Sequence, residues 1–439
     1  MNENELFEKA PIPKAYFTMA LPVVFSMVVS LIYNVVDTYF IAKTQNASLV
    51  AAVSLCAPLF TLMIALGDIF GIGGSSVLSR LFGQKENDLA RNASGFSLYG
   101  SILCGLVITL ILFLFKAPIL SFLGASSETL KYASQYYTYI ALGSTFIIVS
   151  LTPSNLIRTE GLATLSMVGT IIGSIVNIIL DPIFIFVFNM GAGGAALATI
   201  LGYFVSDCFF IYLTKNKAKR LTLSIKEAKI PKKIIKDIFV IGIPASLTNL
   251  VASFGQTLMN RYLVTYGSEN VAAMGIALKV NMIILLVTVG FAFGAQPLLG
   301  FNYGAKNTER LKKLIQFDIF VELTFTIVTA ILLAIFAPHI ISLFMKDANI
   351  IAIGTRMLRW LIVTSPFVGI ILVFSTLFQS EGKGIPALIL SIARQGIIYA
   401  PCLFLASKLF GFTGIIASQA ISDVCTLFVA LIIYRIYKD

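Results

Sequence analysis

Uninterrupted apolar runs limit what this chain can become more than any other feature. Residues 102–115 and 324–336 contain no charged side chain, and comparable runs recur about a dozen times between residues 15 and 436. They are too long for ordinary strands and lack the alternation of an outer-membrane barrel. A hydrocarbon layer about 30 Å thick takes roughly 20 residues of helix to cross, and backbone groups inside it must be satisfied within the segment. The sequence therefore predicts an all-α polytopic membrane protein with twelve transmembrane helices and no separate soluble domain. A hydrophobic fraction of 58%, a charged fraction of 12% and a mean hydropathy of +0.91 fit that class and no soluble one.

Polar breaks place helices near residues 15–42, 50–79, 93–115, 130–154, 162–188 and 192–214. A second set runs near 234–265, 270–300, 312–337, 352–378, 385–409 and 412–436. The opening residues, 1–14, are polar and acidic and carry no leader pattern, so the first span is expected to be retained. Cys56, Cys104, Cys208, Cys402 and Cys425 are scattered through apolar segments without metal or disulfide spacing, and read as small packing residues.

The formal charge of +11 invites a nucleic-acid reading, but its placement argues otherwise. One set of alternate loops holds Arg80, Lys85, Arg91, Arg158, nine basic residues from Lys215 to Lys236, then Lys306, Arg310, Lys312, Lys313 and Lys383. The opposite loops hold only Lys43, Lys116, Lys131, Lys346 and Lys408, with Arg356 and Arg359 at a helix start. Basic loops stay in the cytoplasm, so both termini are expected there, the excess charge reports topology, and no nucleic-acid partner is expected. The basic stretch also has affinity for anionic lipid headgroups, which makes membrane lipid a partner.

The chain resembles itself at a spacing of about 220 residues. Pro22 meets Pro244, Val50-Ala51-Ala52 meets Val271-Ala272-Ala273, Gly73 meets Gly294, and Gly83 meets Gly304. Glu160-Gly161 then meets Glu381-Gly382, and Gly191 and Gly194 meet Gly411 and Gly414. Six crossings per repeat is an even number, so both halves enter from one side and are related by a pseudo-twofold along the membrane normal. The expected organisation is an N-terminal six-helix lobe at 1–214, a cytoplasmic linker at 215–233 and a C-terminal six-helix lobe at 234–439, with a cleft between lobes.

Charges inside spans are costly and usually face a cavity or a partner. Those here are Asp37, Asp68, Asp181, Asp207, Arg261, Lys279, Asp318, Glu322, Arg394 and Asp423. Asp37 lies about six residues from the outer end of the first span, roughly 9 Å deep. Asp181 sits at a similar depth, Asn177 shares its helical face four residues earlier, and Thr199 enters the sixth span to a matching depth. Four oxygen-bearing side chains can converge there, suited to carrying a proton or ligating Na+. The plainer reading is that Asp181 braces a kink at Pro182. In the second half Met259 and Ala400 stand where the first has Asp37 and Asp181, so ion coupling is expected in the N-terminal lobe, and Asp37 and Asp181 are also candidates for substrate contact. Asp68, Asp207, Asp318 and Asp423 are expected to make interhelical hydrogen bonds. Arg261, Lys279 and Arg394 are expected to bond to Gln256, Asn260, Glu322 or helix carbonyls.

The segments LPVVFSMVVSLIYNVVDTYFIA, GIGGSSVLSRLFGQK, IRTEGLA, VNIILDPIFI and GAGGAALAT, in this order, resemble the MATE (multidrug and toxic compound extrusion) transporters, in their DinF-like branch. The resemblance spans essentially the whole chain. It implies an antiporter of the bacterial plasma membrane, needing no cofactor and working as a monomer, that exports amphiphilic, often cationic compounds on an inward H+ or Na+ gradient by alternating access. It also implies that Asp37, Asn177, Asp181 and Thr199 respond to the ion and that Pro22 permits bending of the first helix. A family residue on the fourth span has no clear match, since Asn155 lies near one end and Leu151 holds the deeper register. Two rival readings stand beside it: a flippase of lipid-linked saccharides, which needs a strongly cationic cavity to which Arg261, Lys279 and Arg394 could contribute, and an intramembrane enzyme, which needs a catalytic constellation that the sequence does not offer.

Overall fold

The computed structural model describes residues 3–344 and 346–437. After a short helix α1 (Glu3–Glu8), the first half runs through α2 (Ile12–Lys43), α3 (Ala47–Gly83), α4 (Asn87–Leu114), α5 (Lys116–Phe122), α6 (Leu130–Thr159), α7 (Ala163–Pro182) and α8 (Gly191–Asn216). The second half comprises α9 (Lys232–Val264), α10 (Ser268–Gly304), α11 (Thr308–Ser342), α12 (Ala348–Ile362), α13 (Ser365–Glu381), α14 (Gly384–Ile392) and α15 (Tyr399–Tyr437). Wider π turns extend α7 over Ile183–Val187 and join α14 to α15 over Ala393–Ile397.

Eleven described helical stretches are long and apolar enough to cross a membrane, the last spanning 54 residues, Gly384–Tyr437. At 1.5 Å per residue that stretch would reach about 80 Å, well over twice the hydrocarbon thickness. It is two crossings, because Gly411 breaks it with φ 56° and ψ −132°. A Cβ on Gly414 would lie 1.8 Å from the Ala406 carbonyl oxygen, so the reversal there depends on glycine. Helices α12 and α13 form one broken crossing, with Pro366 in the first turn of α13. Twelve crossings result, as the sequence predicts.

The helices outrun their hydropathy. The span expected at 50–79 runs Ala47–Gly83, and that expected at 312–337 runs Thr308–Ser342. Polar first turns with side-chain caps explain the difference: Asn46 accepts from the Leu49 amide at 3.1 Å and Asn307 from the Arg310 amide at 3.1 Å. The repeated Glu-Gly pair also acquires a cause, since Gly161 and Gly382 stand at φ 81° and 77° just after α6 and α13. Outward stripes such as Leu103, Leu106, Leu110 and Leu114 on α4 are exposed at helical spacing, which suits a lipid-facing surface.

The halves meet through glycine. A Cβ on Gly73 of α3 would lie 2.3 Å from the Ile238 carbonyl oxygen of α9, and one on Gly242 would lie 2.1 Å from that of Ile69. The equivalent seam joins α2 to α10, where a Cβ on Gly294 would lie 2.4 Å from the Ala20 Cα. Gly83 packs on the Phe301 carbonyl and Gly304 on that of Arg80, each at 2.1 Å from a built Cβ. This last contact maps onto itself when the halves exchange, as a twofold requires.

Every one of these seams lies toward the end of the molecule that holds both termini. One apolar core there draws on both halves, from Leu6, Phe7 and Tyr16 to Phe374 and Phe378. At the far end the cores are separate: Met63, Tyr137 and Ile148 belong to the first half, Met274, Met357 and Leu403 to the second. The molecule is thus joined at its termini end and split by a cleft at its far end.

Candidate ion site and cleft

Residues of α2, α7 and α8 build a buried pocket beside the far end of the first half. Asp181 is 0% exposed, Asn177 and Thr199 are buried, and Asp37 is half-buried. The Asn177 amide donates to Thr199 Oγ1 at 3.3 Å, and Thr199 donates to the Ala195 carbonyl at 3.0 Å. The carboxyl groups of Asp37 and Asp181 face each other directly. All four expected residues therefore come together.

What they lack is donors. Asp37 Oδ1, both Asp181 carboxylate oxygens and Asn177 Oδ1 are buried without a hydrogen-bond partner. Buried polar atoms are nearly always satisfied, and each orphan here is an acceptor once Asn177 has spent its amide on Thr199. An acceptor-only pocket with two carboxyl groups is completed by a proton or a small hard cation. The kink-bracing alternative finds no support, because neither Asp181 oxygen bonds to the backbone freed by Pro182. The helix widens directly after Pro182, into the π turn over Ile183–Val187.

Three tyrosines escaped the sequence reading. Tyr33 and Tyr203 bring their hydroxyls together beside the pocket, and Tyr136 lies within electrostatic reach of both Asp37 and Asp181. Tyr33 stands four residues before Asp37 and Tyr203 four after Thr199, a helical spacing that the sequence displayed. Tyr136, from α6, had no such signal. The fourth span thus contributes through Tyr136, whereas Asn155 accepts from Arg158 and donates to the Leu151 carbonyl at 2.7 Å.

The other span charges divide. Asp68 accepts from Asn249 at 3.3 Å and Asp318 from Tyr16 at 2.7 Å, both across the seam between halves. Arg394 pairs with Asp423 at 2.8 Å, not with Glu322, and Thr364 and Gln419 complete the Asp423 cluster. Glu322 and Asp207 are buried, with Ser150 of α6 beside the Asp207 carboxyl and the Ala292 backbone beside that of Glu322. Glu322 lies one turn from Asp318 in the joined end, closed off from the cleft, whereas Asp37 stands at the open end.

The face of α2 that packs on α10 through Ala20 and Val24 continues to Leu31 and Val35, and Val35 is 61% exposed where the halves part. Asp37 falls on nearly the opposite side of α2, toward α7. Its carboxyl therefore lies behind the cleft wall, inside the first half. A separate open groove of about 640 Å³ runs beside Pro22, between α2 and α7, lined by Phe17, Leu21, Phe25 and Met167 among others.

Comparison with known proteins agrees with this fold. The MatE family model matches residues 22–183 and 244–405, one match in each half. The "Multidrug export protein MepA" of Staphylococcus aureus (strain MSSA476) is 34% identical over 437 residues, covering 99% of this chain and 96% of that protein. Its counterpart in Staphylococcus haemolyticus (strain JCSC1435) is 34% identical over 440 residues, covering 99% and 97%. A solved structure described as the "Outward-facing conformation of a multidrug resistance MATE family transporter of the MOP superfamily" superposes with a TM-score of 0.93 at 26% identity, covering 99% of this chain and 98% of that one. Helix count, halves, seam and family matches converge: the chain belongs to the MatE family and is a multi-pass membrane transporter, not an enzyme.

Proposed function

We propose that this transporter exports amphiphilic organic compounds, cations among them, in exchange for an inward flow of H+ or Na+ at Asp37, Asn177, Asp181 and Thr199. The observation that carries the reading is the acceptor-only pocket, whose orphaned oxygens need a proton or cation. The lobes are 1–214 and 234–439, the linker is 215–233, and the basic loops assign the termini end to the cytoplasm of a bacterial cell. The cleft then opens outward, as in the outward-facing relative. One chain supplies both lobes and the ion pocket, so the working unit is a monomer.

Because Asp37 sits behind the cleft-facing side of α2, ion binding acts on the cleft through that helix. Pro22 denies α2 one backbone bond, to the Thr18 carbonyl, and the groove beside it gives the helix room to bend. An ion that favours one shape of α2 shifts the balance of states only by its differential affinity for them. The flippase alternative is weaker, since Asp423 neutralises Arg394, one of the three span cations that a strongly cationic cavity would need.

Purified protein in liposomes loaded with ethidium, with proton and sodium gradients imposed separately, tests the reading. Efflux driven by one gradient and absent without it is expected. Ethidium movement indifferent to both gradients contradicts ion coupling.

A further inference from the structure

The two walls of the cleft differ in chemistry, and the difference follows from helical periodicity. On α9, the face that packs on α3 through Ile238 and Gly242 continues toward the far end as Asn249, Ser253, Gln256 and Asn260. Asn249 still touches Asp68, so it marks the floor of the cleft. Ser253 and Gln256 above it are exposed, and polar side chains in a span are exposed to a water-filled cavity and not to lipid. On α10, the face that packs on α2 through Gly294 and Gly290 continues to Ile283 and Lys279. Both are exposed where the halves part.

Lys279 lies eleven residues into α10, about 16 Å along the helix, level with Ser253 across the α9–α10 hairpin. No described residue pairs with its ammonium or accepts a hydrogen bond from it. The other intramembrane cation of this half on a comparable level, Arg394, is closed by Asp423 at 2.8 Å. The opposite wall offers Leu31, Val35, Leu55 and Leu62, with the uncharged Asn34 and Thr38 beside them on α2, and no carboxylate, because Asp37 is turned away behind it.

We infer that Lys279, with the amide and hydroxyl side chains of α9, forms a subsite for the anionic group of an amphiphilic substrate, a carboxylate-bearing or zwitterionic compound whose apolar part lies against α2 and α3. This deepens the export reading and rests on the cleft being the substrate path. An uncompensated ammonium facing a cleft of reduced dielectric gains a hydrogen bond and a neutralising charge from a carboxylate, but only a weaker hydrogen bond to the carbonyl of its ester. The subsite lies across the cleft from the ion pocket, so the two charges do not neutralise each other.

The test compares dansyl-phenylalanine with its methyl ester, by dansyl fluorescence on purified protein in nanodiscs, corrected with empty nanodiscs. The wild-type protein is expected to bind the acid about tenfold more tightly than the ester, a difference of about 1.4 kcal/mol. Lys279→Gln should bring that ratio close to one with the ester affinity within about twofold, and Lys279→Arg should keep it. A wild-type ratio near one, or a ratio that survives Lys279→Gln, overturns the assignment. Gradient-driven ethidium efflux is measured separately. Its persistence in Lys279→Gln alongside an unchanged binding ratio refutes the subsite and leaves the export reading intact. Its absence in the wild type, with the acid preference present, refutes the export reading alone.

Discussion

At the scale of single residues, the proposed ion pocket shows what spacing can and cannot reveal. Asp37, Asn177, Asp181 and Thr199 were legible because costly polar groups at one depth stand out against apolar surroundings. Tyr33 and Tyr203 were legible in principle through their four-residue offsets from Asp37 and Thr199. Tyr136 was not, since tyrosines also fill cores, and neighbouring Tyr137 does so with its hydroxyl on the Leu112 carbonyl at 2.7 Å. Removing the Tyr136 hydroxyl, in Tyr136→Phe, should leave folding intact and change the ion dependence of transport. Half-maximal proton or sodium concentration should move by about threefold or more, as loss of roughly one polar contact implies. An unchanged ion dependence would remove Tyr136 from the pocket. A second residue-scale expectation concerns the linker, outside the membrane. Hydrogen bonds from Thr222 and Arg91 hold the Glu227 carboxyl below its ordinary range. A depressed value means that the clamp is present above the ordinary carboxylate range and is lost as pH falls through the folded value. Protease nicking of the linker should therefore rise in acid. Glu227→Gln should be nicked at neutral pH as the wild type is in acid, and wild-type nicking that does not change with pH would count against the clamp.

At the scale of elements, the sequence located every crossing but misjudged where helices end, because hydropathy marks the edge of the lipid and not the last helical turn. Gly191 and Gly411, matched in the repeat, both stand at positive φ, and Gly411 separates the last two crossings. The short α5 between α4 and α6 went unseen, since its residues 116–122 read as loop. Which glycines join the halves was also beyond the sequence, as Gly73 and Gly242 become a pair only across 169 residues of chain. A Cβ at Gly242 has 2.1 Å of room against the Ile69 carbonyl, so Gly242→Val should pry α9 from α3 at a cost of about 1–3 kcal/mol. In a cysteine-free background, Ser76→Cys is buried one turn beyond Gly73, where α3 meets the Gln379 carbonyl of α13 across the same boundary between halves. Maleimide should label it at least tenfold faster once Gly242→Val is added. Equal rates would mean that the seam is not a barrier between states. Pro22→Ala restores the bond from residue 22 to the Thr18 carbonyl and stiffens α2. Ethidium binding is expected to persist while transport slows several-fold, and full-speed transport would show that α2 need not bend at Pro22.

At the scale of the whole molecule, a shared core at the termini end, separate cores at the far end and a basic bias on alternate loops describe one state of an alternating-access machine. Single cysteines near residues 85, 225 and 306 should react only from the cytoplasm, and those near 46, 126 and 268 only from outside. Reaction of both sets from one side would contradict the twelve-crossing arrangement. The two-lobe plan was readable because the repeat preserves prolines and glycines, which the backbone requires, while letting surrounding side chains drift. The chemical asymmetry of the cleft was not readable, because it depends on which helix faces remain uncovered when one end closes. The most direct test of the account places Asp37→Asn and Asp181→Asn together in the purified protein. Asn nearly matches Asp in shape but neither releases a proton nor neutralises a cation, so the double variant should fold and bind ethidium within about threefold of the wild type. Its gradient-driven ethidium efflux should fall to the level of protein-free liposomes. Full gradient-driven efflux by a well-folded double variant would contradict the placement of ion coupling at these residues.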